Sequence, residues 1–157
     1  MVVLLKSLSR SESKRELLIK LFALSSFYGG ILINWVDLVF GPPRYGYHLW
    51  LTIMYFTPFI TVLMLRGLED WELTLSYGLT SSLLNDCLYH AVGKWIFRFD
   101  FDLIEWYKCQ LLPVCNIDGY FDFLFFKVKP YPYLMPLSIY ARIIVVYLLL
   151  YKWWVEE

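Results

Sequence analysis

Four long runs of apolar residues divide the chain, and they cover residues 17–40, 48–65, 73–92 and 134–155. Each run has about twenty residues, and a helix of that length rises ~30 Å, which matches the hydrocarbon core of a bilayer. The pattern predicts an all-α membrane protein, a single domain built as a bundle of four transmembrane helices. We refer to the runs as spans one to four.

Span three differs from the others because polar and small residues recur along one side of it. At helical spacing this side carries Thr74, Gly78, Ser82, Asn85, Asp86, Tyr89, His90 and Gly93. The opposite side carries Leu73, Tyr77, Leu83, Leu84, Leu88 and Ala91. A membrane helix of this kind packs its polar side against protein and turns its apolar side to lipid. We therefore expect the other spans to be organised around span three.

The connection between spans three and four, residues 93–133, begins with an amphipathic pattern. Its large apolar side chains fall on one helical face, namely Phe99, Leu103, Trp106, Tyr107 and Leu111. This pattern predicts a helix that lies in the membrane interface. The second half of the connection is aromatic and interrupted by prolines, and it is too short to cross a bilayer as a helix.

Composition supports the membrane class and limits the partners. Hydrophobic residues make up 59% of the chain, and the mean hydropathy is +0.53. A soluble domain of this size could not bury so much apolar sequence. The 14 basic and 14 acidic residues cancel, so no overall positive charge attracts nucleic acid. The expected partners are membrane lipid and either other membrane subunits or further copies of the chain.

Charge also predicts an orientation. Four spans place both termini on one side of the membrane, and basic residues favour the cytoplasmic side. The basic residues that support this orientation are Lys6, Arg10, Lys14, Arg15, Arg66 and Lys152. We therefore predict a multi-pass protein with both termini inside, in a cell membrane rather than an organelle membrane.

Two of the three cysteines lie close together in the long connection. Cys109 and Cys115 are separated by five residues, which include Pro113. Because the connection is expected outside, where thiols oxidise, we predict a disulfide between them. Cys87 lies within span three and is expected to pack as a small apolar residue. The chain has no Cys-x-x-Cys pair, so neither a thiol oxidoreductase nor a zinc ribbon is indicated.

Each span places an ionisable residue near its predicted outer end: Asp37, His48, Asp86 with His90, and Arg142. Ionisable residues at membrane depth usually have a specific role. Asp86 and Arg142 have opposite charge and similar depth, so an intramembrane ion pair is expected. Structural roles also remain open for the others, as hydrogen-bonded interface residues or, for His90, as a helix cap.

A metal site is the sharper hypothesis for the same residues. Asp86 and His90 share a helical face, and Asp37 and His48 could complete a set of two carboxylates and two imidazoles. Such ligands suit zinc or another divalent metal, which would make a bound water acidic enough for hydrolysis or transfer on a lipid-like substrate. A haem held by His48 and His90 is a further possibility.

The remaining hypothesis needs no metal. Arg142, Arg44 and His90 could bind a lipid phosphate or a quinone carbonyl, and Lys94 and Arg98 are further candidates for a lipid headgroup. Two classes of function therefore stay open. A non-catalytic subunit or lipid-binding scaffold is favoured, because the sequence has no strong catalytic motif, and a metal-dependent membrane enzyme is the alternative.

Overall fold

A computed structural model describes residues 13–40, 46–100, 102–115, 120–129 and 131–155. Its elements in chain order are helix α1 (Lys14–Phe27), a π-helical segment (Tyr28–Ile33), α2 (Asn34–Phe40), α3 (Tyr47–Arg66), a 3-10 turn (Leu68–Asp70), α4 (Trp71–Trp95), α5 (Leu103–Leu111), strands β1 (Phe121–Asp122) and β2 (Lys127–Val128), and α6 (Leu134–Val155). The all-α prediction is confirmed. The short antiparallel hairpin of β1 and β2 was not predicted.

Three helical stretches are long and apolar enough to cross a membrane: Lys14–Val39, α3 and α6. Only 11% of the most apolar part of α6 is buried within the protein. So large an exposed apolar surface needs lipid around it, and the membrane character of the chain is confirmed in this respect. A bundle of four spans is not confirmed, because α4 is long enough, at 25 residues, but too polar to count with the other three.

The central helix is α4, as the sequence predicted. It packs against α1, the π-helical segment, α2, α3, α5 and α6. The prediction of a lipid-facing side is wrong for part of its length, because Leu73, Tyr77 and Ala91 are buried. At Leu73 and Tyr77 the cause is the packing of α1 across that side, where the Tyr77 hydroxyl donates a hydrogen bond of 2.8 Å to the Leu18 carbonyl.

The π-helical segment allows the first helix to approach α4 very closely. A Cβ atom on Gly29 would lie 2.3 Å from the carbonyl oxygen of Ser81 and 2.5 Å from its Cα. Only glycine permits this contact between two backbones, and small residues serve the same purpose in other membrane helices. The neighbouring Gly30 has more room, since a Cβ there would lie 3.2 Å from a terminal methyl group of Leu88.

The proline within α3 is accommodated by a neighbouring helix. Pro58 has no N–H to donate to the carbonyl of Met54, four residues earlier. The Tyr28 hydroxyl donates to that carbonyl at 2.7 Å, while Thr57 and Thr61 donate to carbonyls four residues before themselves. The helix therefore remains continuous, as membrane helices with internal prolines require.

The two ends of the bundle differ in character. At the termini end, a core that includes Leu17, Phe59 and Trp153 is closed by ion pairs from Arg66 to Asp70 and from Lys152 to Glu72. At the opposite end, which we call the hairpin end, α5 and the β-hairpin pack on the helices. The helix that the sequence predicted after span three is present as α5, and it contacts α4 and α6.

Candidate functional site

A cleft of about 580 Å³ lies between α3 and α6 at the hairpin end. Both helices pack against α4 but not extensively against each other, so α4 forms the floor of the cleft and α3 and α6 form its walls. Residues of α5 and the hairpin, including Trp106 and Phe121, close the end of the cleft. We call this space the hairpin-end cleft.

An ion pair joins the floor of the cleft to one wall. Arg142 Nη2 on α6 lies 2.5 Å from Asp86 Oδ2 on α4. Arg142 Nη1 donates to Ser82 Oγ at 2.9 Å, and its Nε donates to the Ser138 carbonyl at 3.1 Å. Since 18% of the Arg142 side chain and 27% of the Asp86 side chain remain exposed, the pair faces the cleft while it fixes α6 against α4.

The opposite wall carries a second carboxylate and an imidazole. The Tyr47 hydroxyl on α3 donates a hydrogen bond to Asp37 Oδ1 on α2. His48 Nδ1 accepts a hydrogen bond of 3.0 Å from the backbone N–H of Asp122 in β1. The ring of Phe121 lies edge-on to His48 with the centroids 4.8 Å apart. The β-hairpin is thus attached to the first turn of α3 through the imidazole.

A buried hydrogen-bonded chain holds the helices below the cleft. Tyr55 on α3 donates from its hydroxyl to Asn85 Oδ1, and Asn85 Nδ2 donates to Asn34 Oδ1, both at 2.6 Å. Asn34 Nδ2 in turn donates to the carbonyl of Gly30 at 2.9 Å. Because these side chains donate to and accept from one another, they avoid the free-energy cost of burying polar groups without hydrogen bonds. This series of hydrogen bonds fixes α2, α3 and α4 in one arrangement.

Helix α5 forms the roof of the cleft and is anchored at both of its ends. At its start the side chain of Asp102 accepts hydrogen bonds from the backbone N–H groups of Glu105 and Ile104, which hold the pKa of that carboxyl below its usual range. The Tyr107 hydroxyl donates to the carbonyl of Cys87 on α4 at 2.7 Å. Cys109, in the last turn of the helix, forms a disulfide with Cys115 in the segment that follows.

The indole of Trp106 on the roof is held in place by stacking. Its ring lies nearly parallel to that of His90, with the centroids 3.7 Å apart. His90 therefore supports the roof, and it is not among the residues that line the cleft.

The structure brings together some of the predicted site residues and separates others. Asp37, His48, Asp86 and Arg142 all line the hairpin-end cleft. The hypothesis that Asp37, His48, Asp86 and His90 bind one metal ion is not supported, because no group of three or more His, Cys, Asp or Glu side chains in the described ranges is placed to hold a metal. The physical reason is that Asp86 pairs with Arg142, Asp37 accepts from Tyr47, and His90 turns to Trp106.

The described residues also give no support to a shared haem or to the predicted headgroup site. His48 and His90 have separate neighbours, the β-hairpin and α5, which argues against a shared haem. Lys94 lies in the last turn of α4 and Arg98 is exposed after it, and neither lines the cleft. Arg44 lies outside the described residues.

Several residues that line the cleft were not among the predicted site residues. Tyr55 could have been found, because His48, Thr52 and Tyr55 recur at intervals of four and three residues and so form a polar stripe along span two. Gln110 had no such signal, since it lies in the last turn of a short amphipathic helix. Phe121 lines the cleft because it lies in the β-hairpin, and no turn motif in the sequence predicted this hairpin.

Comparison of the chain with family models, with curated proteins and with solved structures gives no significant match. Function must therefore be argued from the cleft itself.

Proposed function

We propose that this protein is a non-catalytic, lipid-binding scaffold of a membrane, acting as a subunit of a larger assembly or as a homo-oligomer. In this proposal the hairpin-end cleft holds a lipid-like molecule taken from the bilayer. The observation that carries the proposal is the position of the cleft between α3 and α6, two helices whose outer surfaces are apolar enough for lipid.

The lining of the cleft has an apolar and a polar region, which match the two parts of a lipid. Leu51, Phe56, Leu79 and Met135 supply apolar surface for chains, and the pair of Asp86 with its arginine marks a polar region for a head. The volume of about 580 Å³ falls within the range of ~300–1,000 Å³ that is usual for small-molecule sites. A molecule entering between the two walls would not have to leave the membrane.

The proposal includes α4 as a fourth crossing. Its 25 residues rise ~37 Å as a helix, which exceeds the ~30 Å of the hydrocarbon core. Its polar side chains lower its hydropathy, but they face other helices, and buried polar groups of this kind are tolerated in membrane bundles. Four crossings would return the C-terminus to the side of the N-terminus, which we assign to the cytoplasm.

The disulfide supports an outward orientation of the hairpin end. Disulfides persist in oxidising compartments and are rare in the cytosol. The bond joins Cys109, in the last turn of the roof helix, to Cys115 just beyond it. The cleft would then face the outer leaflet, in agreement with the basic residues near the N-terminus.

A scaffold agrees better than an enzyme with the state of the charged groups. In the described part of the chain, the carboxylates of Asp37 and Asp86 are both engaged by neighbouring side chains, so neither is poised as a base or as a metal ligand. Engaged groups of this kind fix helices and shape a binding site.

The proposal can be tested by filling the cleft. Ser138 lines the cleft on α6, whereas the adjacent Leu137 is 58% exposed and does not line it. We expect Ser138→Phe to reduce the lipid that is retained by purified protein in native mass spectrometry, while Leu137→Phe, with the same added ring, retains the wild-type amount. Wild-type protein without retained lipid, or equal retention by both variants, would refute the proposal.

A further inference from the structure

The roof helix carries two buried polar atoms without hydrogen-bond partners among the described residues. They are Nε1 of Trp106 and Oε1 of Gln110. The two residues are four apart on α5, so they share one helical face, and both line the hairpin-end cleft. Gln110 is only 2% exposed.

Buried polar groups that lack partners are unusual in folded proteins, because each has lost its hydrogen bonds to water. Trp106 has its ring fixed by the stack on His90, so the position of its N–H is set by packing rather than by a hydrogen bond. Gln110 could be replaced by an apolar residue if its only role were to fill space. The pair is therefore better explained by a ligand than by the fold.

The chemistry of the two atoms limits what that ligand can be. An indole N–H can only donate a hydrogen bond, and an amide oxygen can only accept one. A hydroxyl group satisfies both, since it accepts from the indole and donates to the amide. Neither partner carries a charge, so neither compensates the desolvation of a charged headgroup.

The charges of the cleft disfavour an anionic head. Asp37 and Asp86 contribute two carboxylates to the lining, and Arg142 contributes one guanidinium whose three nitrogens already donate to Asp86, Ser82 and Ser138. A phosphate would add negative charge beside these carboxylates, and the charge of Arg142 is already balanced by Asp86, so only its two remaining N–H groups could oppose the repulsion. Like charges in a region of low dielectric constant repel strongly.

We infer that the ligand is an uncharged amphiphile whose head carries a hydroxyl group, as in the diacylglycerol class, and that Trp106 and Gln110 bind this hydroxyl. The inference rests on the proposed function, because it names the class of lipid that the cleft holds. The hydroxyl group of the lipid would bind to Trp106 and Gln110 on the roof, and its acyl chains would lie between α3 and α6.

The test uses two photoactivatable lipids with identical acyl chains, a diacylglycerol and the corresponding phosphatidic acid. Full-length protein is reconstituted in phosphatidylcholine vesicles, irradiated with each probe and digested, and labelled peptides are identified by mass spectrometry. We expect peptides of α3 and α6 that border the cleft to be labelled about tenfold more by the diacylglycerol, the scale of preference that one or two hydrogen bonds provide.

Two variants link this preference to the roof. Trp106→Phe removes the N–H but keeps an aromatic ring against His90, and Gln110→Leu removes the amide at similar volume. Each variant removes one of the two hydrogen bonds, so each should lower diacylglycerol labelling several-fold while phosphatidic acid labelling stays unchanged. Ile104→Ala, which changes a residue of α5 that is 71% exposed, should leave the preference intact.

Stability separates binding from a structural role. Because Gln110→Leu removes an unpartnered buried group, the lipid-free protein should unfold at an unchanged or higher temperature. A marked drop in that temperature would overturn the role of Gln110 in binding. Diacylglycerol labelling that stays at the wild-type level in both variants would overturn the binding role of the roof.

The remaining outcomes distinguish this inference from the proposed function. Equal labelling of the cleft by both probes would overturn the choice of an uncharged head and leave the scaffold proposal standing. Labelling of the cleft by neither probe above that of the outer faces of α3 and α6 would overturn both.

Discussion

The contact between the first helix and α4 gives a sharp test of the packing. Gly29 and Gly30 are adjacent in the π-helical segment and both are buried, but they meet α4 differently. We expect Gly29→Ala to destabilise the protein and Gly30→Ala to leave its stability equal or improved. The two variants add the same methyl group at neighbouring positions, so each is a control for the other.

The magnitude follows from the distances. A methyl group at Gly29 would lie 2.3 Å from a backbone oxygen of Ser81, whereas unstrained contacts need ~3.5 Å, so the helices would have to separate by about 1 Å. Overpacking of this kind costs ~1–3 kcal/mol, and backbone atoms cannot rotate away. Alanine regains up to ~1 kcal/mol over glycine in a helix. Because so short a contact with backbone atoms belongs at the upper end of that cost, the net loss for Gly29→Ala should be about 2 kcal/mol.

At Gly30 the obstacle is the end of the Leu88 side chain at 3.2 Å, which can move by a few tenths of an ångström. The gain in helix propensity should then dominate, and the expected change lies between zero and about 1 kcal/mol of added stability. The free energy of unfolding can be measured by titrating the detergent-solubilised protein with sodium dodecyl sulfate and following its circular dichroism. Equal losses in both variants, or a stable Gly29→Ala, would show that the helices are not in this contact.

Three further predictions concern the hairpin end. Asp86→Asn and Arg142→Leu should each lower the free energy of unfolding by ~1–3 kcal/mol, which is less than the loss expected for a fully buried pair. In a double-mutant cycle, the double variant should lose less stability than the sum of the two single variants. Cys109 and Cys115 should resist alkylation in unreduced, denatured protein and react after reduction; reaction without reductant would disprove the bond. Because the folded pKa of Asp102 is lowered, its capping of α5 contributes stability above the unfolded pKa, near 4, and this contribution is lost as the pH falls through the folded value. The protection factors of the α5 amides, which are exchange rates corrected for their intrinsic pH dependence, should therefore fall at low pH in the wild type and be low at every pH in Asp102→Ala; identical protection in both would contradict the cap.

The helices themselves were readily predicted because bilayer thickness imposes their length. The predicted fourth span, 134–155, coincides with α6, and the predicted second span, 48–65, differs from α3 by one residue at each end. Long apolar runs leave few alternatives to a helix, since backbone groups in lipid must pair within the segment.

The surroundings of the central helix could not be predicted as well. Its polar side was assigned to protein, and Ser82 and Asn85 are buried as expected, but Leu73 and Tyr77 are buried too. A hydrophobic residue on a membrane helix is stable against lipid or against another helix, because the two environments are similarly apolar. Sequence pattern alone therefore cannot say how many helices surround α4.

The candidate site was predicted in part for a related reason. Charges are rare in membrane helices, so Asp86 and Arg142 stood out and could be paired by sign and depth. Whether a carboxylate contacts a metal or a tyrosine depends on the direction of its side chain. The spacing of residues in the sequence therefore could not predict the hydrogen bond from the Tyr47 hydroxyl to Asp37. Neutral groups such as Gln110 give no such signal at all.

The central claim is that the hairpin-end cleft holds a lipid, and the most direct measurement is an experimental structure of the protein in lipid nanodiscs. We predict elongated density between α3 and α6 that ends beneath Trp106 and Gln110, with the ion pair of Asp86 and Arg142 intact beside it. A closed cleft in which α3 packs directly against α6, with no room for a lipid between them, would contradict the account.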